Sequence, residues 1–246
     1  MKGIRSNDLT IGYPPDKRLI ENINLKFTPG NFVALVGQNG VGKSTLIRTL
    51  TGLHPALAGE IVLDGESVST YSQTEIAKKI AVVLTGKPES LNLSVLELIA
   101  LGRHPHTGWL GVLKETDKEV IEAALSQMEI NYIATKKLFE LSDGQLQKVM
   151  IARALAQDTE LIILDEPTSH LDLKNKIEVL ELLRKIAKSG KGVLISTHEI
   201  QLTASACDEF WCVDFGMPFL TGPAKEIVDT GVLHEYLHLP STVRIL

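Results

Sequence analysis

Gly37-Gln38-Asn39-Gly40-Val41-Gly42-Lys43-Ser44-Thr45 follows the apolar run 32–36 and matches the pattern G-x-x-x-x-G-K-[ST]. Glycines let the backbone turn back and aim its N–H groups at phosphate oxygens, and the helix expected at 46–53 adds its positive end to the same point. In that arrangement Lys43 reaches the β- and γ-phosphates, and the Ser44 hydroxyl takes a place on Mg²⁺. A second set is Leu161-Ile162-Ile163-Leu164-Asp165-Glu166, an apolar strand that ends in two carboxylates. Asp165 is expected to hold Mg²⁺, directly or through water, and Glu166 to orient or deprotonate an attacking water. A glycine-rich turn or a solvated acidic strand end is the plain alternative to either set alone. Both sets on one chain point to nucleotide binding. A third set, Leu141-Ser142-Asp143-Gly144-Gln145 before the helical run 146–157, places a loop at a helix N-terminus, where an anion can be received.

Positioning these groups requires strands that deliver each loop to one rim. Residues 4–11 and 19–27 read as edge strands joined by the turn Tyr13-Pro14-Pro15-Asp16, and 59–63 with Asp64-Gly65 reads as a hairpin element. Residues 80–84, 161–164, 193–196 and 210–214 read as short buried strands. The spacing predicts a helix over 116–129 with a Thr116–Glu119 capping box and an apolar face of Val120, Ala124 and Met128. A further helix is expected over 173–189, ended by Gly190. Strands alternating with helices predict an α/β fold with a mostly parallel sheet. Residues 87–140 show helical patterns without a buried strand and predict a separate helical lobe.

The 246 residues are 44% apolar and 22% charged, enough to bury one domain, or one domain plus a lobe. A net charge of -5 supplies no basic field for a nucleic-acid backbone, so nucleic acid is not an expected partner. Cys207 and Cys212 are too few for a disulfide framework, fit no zinc spacing and read as core thiols of a protein in a reducing cytosol. The first ten residues lack the apolar stretch of a signal peptide, and no run of 18 apolar residues predicts a membrane span.

With its order of motifs the chain resembles the nucleotide-binding subunits of ABC transporters over nearly its whole length. Gly37–Thr45 corresponds to the Walker A loop, Leu141–Gln145 to the LSGGQ signature, and Leu161–Glu166 to the Walker B strand. Ser169-His170-Leu171-Asp172 resembles the D-loop, and Thr197-His198 resembles the switch histidine. The resemblance implies a P-loop NTPase (RecA-like) core with an antiparallel β subdomain, over 1–86 and 146–246, and an inserted α-helical lobe over 87–145. It implies ATP and Mg²⁺ as cofactors and a second copy of the chain as partner, so that two ATP molecules are held head to tail. Ser142, Gly144 and Gln145 would then meet the ATP held by the opposite subunit, and Asp172 would contact the opposite P-loop or cap its own helix. The catalytic set implied is Glu166, His198 and Lys43, and Tyr13 is either an adenine-stacking aromatic or a turn residue.

Two positions depart from the family's pattern. Asp143 stands where the signature commonly has glycine. Thr85 stands where the family carries a glutamine that meets Mg²⁺ and links the site to the helical lobe; its hydroxyl is shorter, so weaker coupling of metal to lobe, or a water-bridged version of it, is expected.

The stretch 93–106, ending in Gly102-Arg103-His104-Pro105-His106, resembles the importers of ferric siderophores, haem and vitamin B12. The resemblance implies a polytopic membrane permease, an external substrate-binding protein working through it, and a position on the cytoplasmic face of the membrane. His104 and His106 have no neighbouring carboxylate or cysteine in sequence and read as loop residues. The alternative is a soluble ATPase of the same motifs serving iron–sulfur cluster assembly. Versions in DNA repair carry a long coiled coil, and ribosomal ones carry two such domains; the pattern shows neither.

Overall fold

β1 (Ile4–Tyr13) and β2 (Lys17–Phe27) pair antiparallel around the turn at 14–16, with Ile23, Leu25 and Phe27 turned inward and the residues between them exposed. The computed structural model in which they lie describes residues 2–86, 88, 90–108 and 111–238. Lys87, where the lobe is expected to begin, and the last tail residues, 239–246, fall outside the described residues. β1 is not an edge strand as its sequence suggests: the sheet order is β2-β1-β4-β5, with β4 (Ala58–Leu63) on its other side and β5 (Glu66–Ser67) beyond. The Asp64-Gly65 corner between β4 and β5 has both residues at positive φ, the geometry of a tight hairpin turn.

β3 (Phe32–Gly37) is buried at every position, as a strand covered on both faces must be. Phe32, Ala34 and Val36 face one apolar cluster, and Val33 and Leu35 face another. α1 (Lys43–Leu50) starts and stops one turn earlier than the sequence suggests. Gly42 begins it at φ 114°, and Gly52 breaks the chain away at φ 69°. Lys43 and Ser44 therefore stand in the first helical turn.

The chain continues through α2 (Gln73–Ala77) and β6 (Ile80–Val83) to three lobe helices, α3 (Val95–Ala100), α4 (Glu115–Gln127) and α5 (Asp143–Ala156). Between α3 and α5 no strand occurs among the described residues. The expected Thr116 capping box is not the one formed: α4 begins at Glu115, and the Asp117 carboxylate accepts from the Lys114 N–H at 2.8 Å. The cause lies in tertiary structure, because Asp117 must also receive the buried Arg103 guanidinium at 2.8 Å. The buried face of α4 is Ile121, Ala124 and Leu125, continued by Met128, whereas Val120 is half-buried. α5 packs on α3 and α4 and also reaches β6, so the lobe helices and one face of the parallel sheet share a single apolar cluster.

β7 (Leu161–Leu164), α6 (Leu173–Lys188), β8 (Gly192–Thr197), α7 (Ile200–Ala204), β9 (Glu209–Val213), β10 (Leu220–Pro223), α8 (Ala224–Asp229) and α9 (Val232–Tyr236) complete the order. The second sheet runs β10-β9-β3-β8-β7-β6, parallel throughout except for β10. Its other face meets the antiparallel sheet over a cluster in which Trp211 packs edge-on to Phe27 at 6.1 Å. No helix among the described residues is long and apolar enough to cross a membrane.

Candidate nucleotide site

Strand order decides where the chemistry gathers. β3, β8 and β7 are consecutive parallel neighbours, so the segments leaving their carboxyl ends emerge on one rim. Those segments are the glycine loop, Thr197-His198 and Asp165-Glu166. Residues spread over more than 160 positions are thereby brought together.

The glycine loop is anchored and tightly packed. Val41 is fully buried in the cluster between the sheets. Gly37 has no room for a side chain, since a Cβ there would lie 2.3 Å from the Val213 carbonyl oxygen on neighbouring β9. Gly40 and Gly42 both hold positive φ, while Asn39 and Ser44 are exposed and Gln38 is half-buried. Lys43 is buried and donates to the carbonyl oxygens of Gly37 at 2.8 Å and Gln38 at 3.0 Å. Burial lowers its pKa from the ordinary lysine value, and the nearby Glu166 and Asp165 carboxylates pull the other way. Tyr13 ends β1 rather than entering the turn; its hydroxyl shares a 3.1 Å hydrogen bond with Thr45, and its ring meets His54 edge-on at 5.2 Å.

Asp165 is buried behind β7 and Glu166 is half-buried. Asp165 Oδ1 accepts from the Ser196 hydroxyl at 2.6 Å, whereas buried Oδ2 has no hydrogen-bond partner. Glu166 holds φ 49°, an uncommon conformation for a residue with a side chain. The Ser169 hydroxyl donates to its carbonyl oxygen at 2.6 Å. A cleft of about 550 Å³ is lined by Ser44, Thr85, Asp143, Asp165, Glu166 and His170, among others. Ser44, Thr85 and Asp165 are all hard oxygen donors, the type Mg²⁺ selects. A buried carboxylate oxygen without a partner is costly to leave so, and together with this donor set it fits a cation beside a phosphate.

The signature segment is a helix cap. Ser142 Oγ accepts from the Gln145 N–H at 3.3 Å, and Gln145 Oε1 accepts from the Ser142 N–H at 3.1 Å. Asp143, in the glycine position of the family pattern, stands in the first turn of α5, where a negative charge opposes the helix dipole. Asp172 caps α6, its Oδ1 accepting from the Asn175 N–H at 2.8 Å. His198 lies past the end of β8 with about half of its side chain exposed and Nε2 4.0 Å from Glu199. Glu199 in turn pairs with Lys176 of α6.

Sequence reasoning missed Ser196, Asn175 and His54. Ser196 carried a signal: a polar residue directly after the apolar run 193–195, in the same buried strand, must be satisfied. Asn175 and His54 carried none, because their partners are set by tertiary packing. Both cysteines are buried and free, as expected of core thiols, and His106 bonds through Nε2 to the Gln157 carbonyl oxygen at 2.9 Å.

The sequence model of the family described as ABC transporter matches residues 20–169. The achromobactin transport ATP-binding protein of Dickeya dadantii is 35% identical over 240 residues, covering 97% of this chain and 89% of that protein. The iron(3+)-hydroxamate import ATP-binding protein of Bacillus subtilis is 32% identical over 244 residues, 99% of this chain and 90% of its own. A solved ABC transporter described as metal-chelate type, in an inward-facing conformation, superposes with a TM-score of 0.85 at 30% identity, covering 98% of this chain and 90% of that one. The match over more than half of the chain and the identity to these relatives over nearly its whole length show that the chain belongs to the ABC transporter family as one of its ATP-binding subunits.

Proposed function

We propose that the chain is the ATP-hydrolysing subunit of a membrane importer for iron chelates (siderophore or haem) or vitamin B12. The observation that carries the hydrolytic part is the strand order that brings the glycine loop and the Asp165–Glu166 strand end to one rim of the parallel sheet, with Ser44, Asp165 and Glu166 lining one cleft. The cargo class is supported by the relatives that transport achromobactin and import iron(3+)-hydroxamate.

Lys43 has three donors and no acceptor, so phosphate oxygens are the natural replacement for the carbonyls it now contacts. The backbone N–H groups of 38–45 cradle the phosphates, and Tyr13 stacks on adenine beside Thr45. Ser44 and Asp165, with Thr85 as a third oxygen, hold Mg²⁺, which neutralises phosphate charge when bound. Glu166 accepts the proton of the attacking water, and His198 donates a hydrogen bond to the γ-phosphate. No arginine finger lies in the motifs, so Ser142 and Gly144 of a second copy supply the opposing donors. Asp172 approaches the opposite P-loop while capping its own helix. The ATP-closed pair drives polytopic permease subunits, and through them an external binding protein, from the cytoplasmic face of the membrane.

Capture of this chain from detergent-solubilised native membranes tests the assignment. A polytopic permease among the captured proteins, with ATPase activity stimulated by a ferric chelate in the reconstituted complex, is the expected result. A soluble assembly factor without a permease would overturn the importer and leave the ATP chemistry standing.

A further inference from the structure

We propose that Ser196 is a positioning residue of the hydrolytic site, a two-sided clamp that orients the Asp165 carboxylate and holds the Glu166 backbone in place. The inference rests on the ATPase reading above.

A serine hydroxyl has one proton to give and lone pairs to receive with. Ser196 uses both toward the same strand end. It donates to Asp165 Oδ1 at 2.6 Å and accepts from the Glu166 N–H at 2.8 Å. Leu164 and Ile195 are register partners in β7 and β8, so Ser196 stands opposite Asp165 by strand pairing. Ser196 itself is fully buried, so water cannot substitute freely for either bond.

The two bonds have distinct consequences. Engaging Oδ1 fixes the rotation of the carboxylate and leaves Oδ2 as its unbonded oxygen, the atom available to a cation. Holding the Glu166 N–H stabilises a left-handed backbone at φ 49° that costs energy for a residue with a Cβ. His198 follows two residues later, just past the end of β8, so one hydroxyl ties the strand that leads to it to the metal-facing acid and to the base.

The test compares Ser196→Ala and Ser196→Thr with wild type in the full-length chain. Mn²⁺ serves as the probe, in the presence of a non-hydrolysable ATP analogue, with free Mn²⁺ followed by electron paramagnetic resonance. Loss of a hydrogen bond to a charged group predicts about tenfold weaker Mn²⁺ binding and about tenfold lower kcat in the alanine variant, at little changed KM. Analogue affinity in EDTA stays at the wild-type level, and threonine, which keeps the hydroxyl, restores Mn²⁺ binding. A fall in thermal midpoint with unchanged Mn²⁺ affinity would reduce Ser196 to a packing residue and overturn the proposal, as would a threonine variant as weak as alanine at an unchanged midpoint. Failure of the wild-type chain to bind the analogue would instead overturn the ATPase reading beneath it.

Discussion

Gly144 lies directly against the side chain of Asn175: a Cβ at 144 would sit 2.6 Å from Asn175 Oδ1. Asn175 Nδ2 also donates to Asp172 Oδ2 at 2.9 Å, so the signature loop and the D-loop aspartate are packed through one amide within a single chain. Gly144→Ala is expected to push the amide aside and break that bond. The cost is about 1 kcal/mol of stability, because the displaced group is the end of a side chain and can move. In an Asn175→Ala background the same substitution costs less, and thermal unfolding of the four variants measures the coupling. Equal costs in both backgrounds would show that the two loops are not linked through Asn175.

Glu166→Gln keeps the shape of the side chain and removes its capacity to take a proton. Turnover is expected to fall by about a hundredfold or more, while ATP still binds and accumulates in a dimer detectable by gel filtration. Turnover at the wild-type level would remove Glu166 from the role of base.

Thr85 is exposed and lines the same cleft as Ser44 and Asp165. A longer amide at this position reaches further toward the cation, so Thr85→Gln is expected to lower the Mg²⁺ concentration giving half-maximal ATPase activity. A magnesium titration of both forms decides it. Unchanged titration and unchanged transport would make position 85 irrelevant to the metal.

The Asp117 carboxyl is held below the usual carboxylate range by the Lys114 N–H first and by the Arg103 guanidinium next. A group with a lowered folded-state pKa stabilises the fold above its unfolded pKa of about 3.9 and loses that contribution as pH falls through the folded value. Asp117→Asn is therefore expected to unfold at a lower temperature than wild type at pH 7, with the gap closing as the pH drops below the carboxylate range. A gap that stays constant with pH would show that the carboxylate charge does not hold the lobe.

Burial pushes both the Cys207 and Cys212 thiols up to about 12. At pH 8 the thiolate is then a fraction of about one in ten thousand, and both sulfurs are shielded. The folded protein is expected to resist Ellman's reagent, with both thiols reacting only after denaturation. Rapid modification of the native chain would show that the segment 207–212 opens readily.

Much of the site was legible from sequence because its chemistry is local. Glycines, lysine and hydroxyls within residues 37–45 act through backbone turns and a helix start that neighbouring residues dictate, and the apolar run 161–164 announces a buried strand with acids at its end. The helix boundaries were less legible. α1 starts where Gly42 permits it, and α4 starts where Asp117 can serve Arg103, a partner 14 residues away in sequence.

The amino-acid sequence thus determined by itself which residues form the glycine loop and its lysine, which acids stand at a strand end, and that strands and helices alternate, since each follows from short-range periodicity and backbone geometry. Only the tertiary structure decided that β8 lies between β3 and β7, that β1 is an interior strand, that Ser196 holds Asp165, and that Asn175 fills the space beside Gly144. The physical reason is that strand order and side-chain contact depend on how apolar faces are buried together across the whole chain, and no local pattern encodes which distant face each one meets.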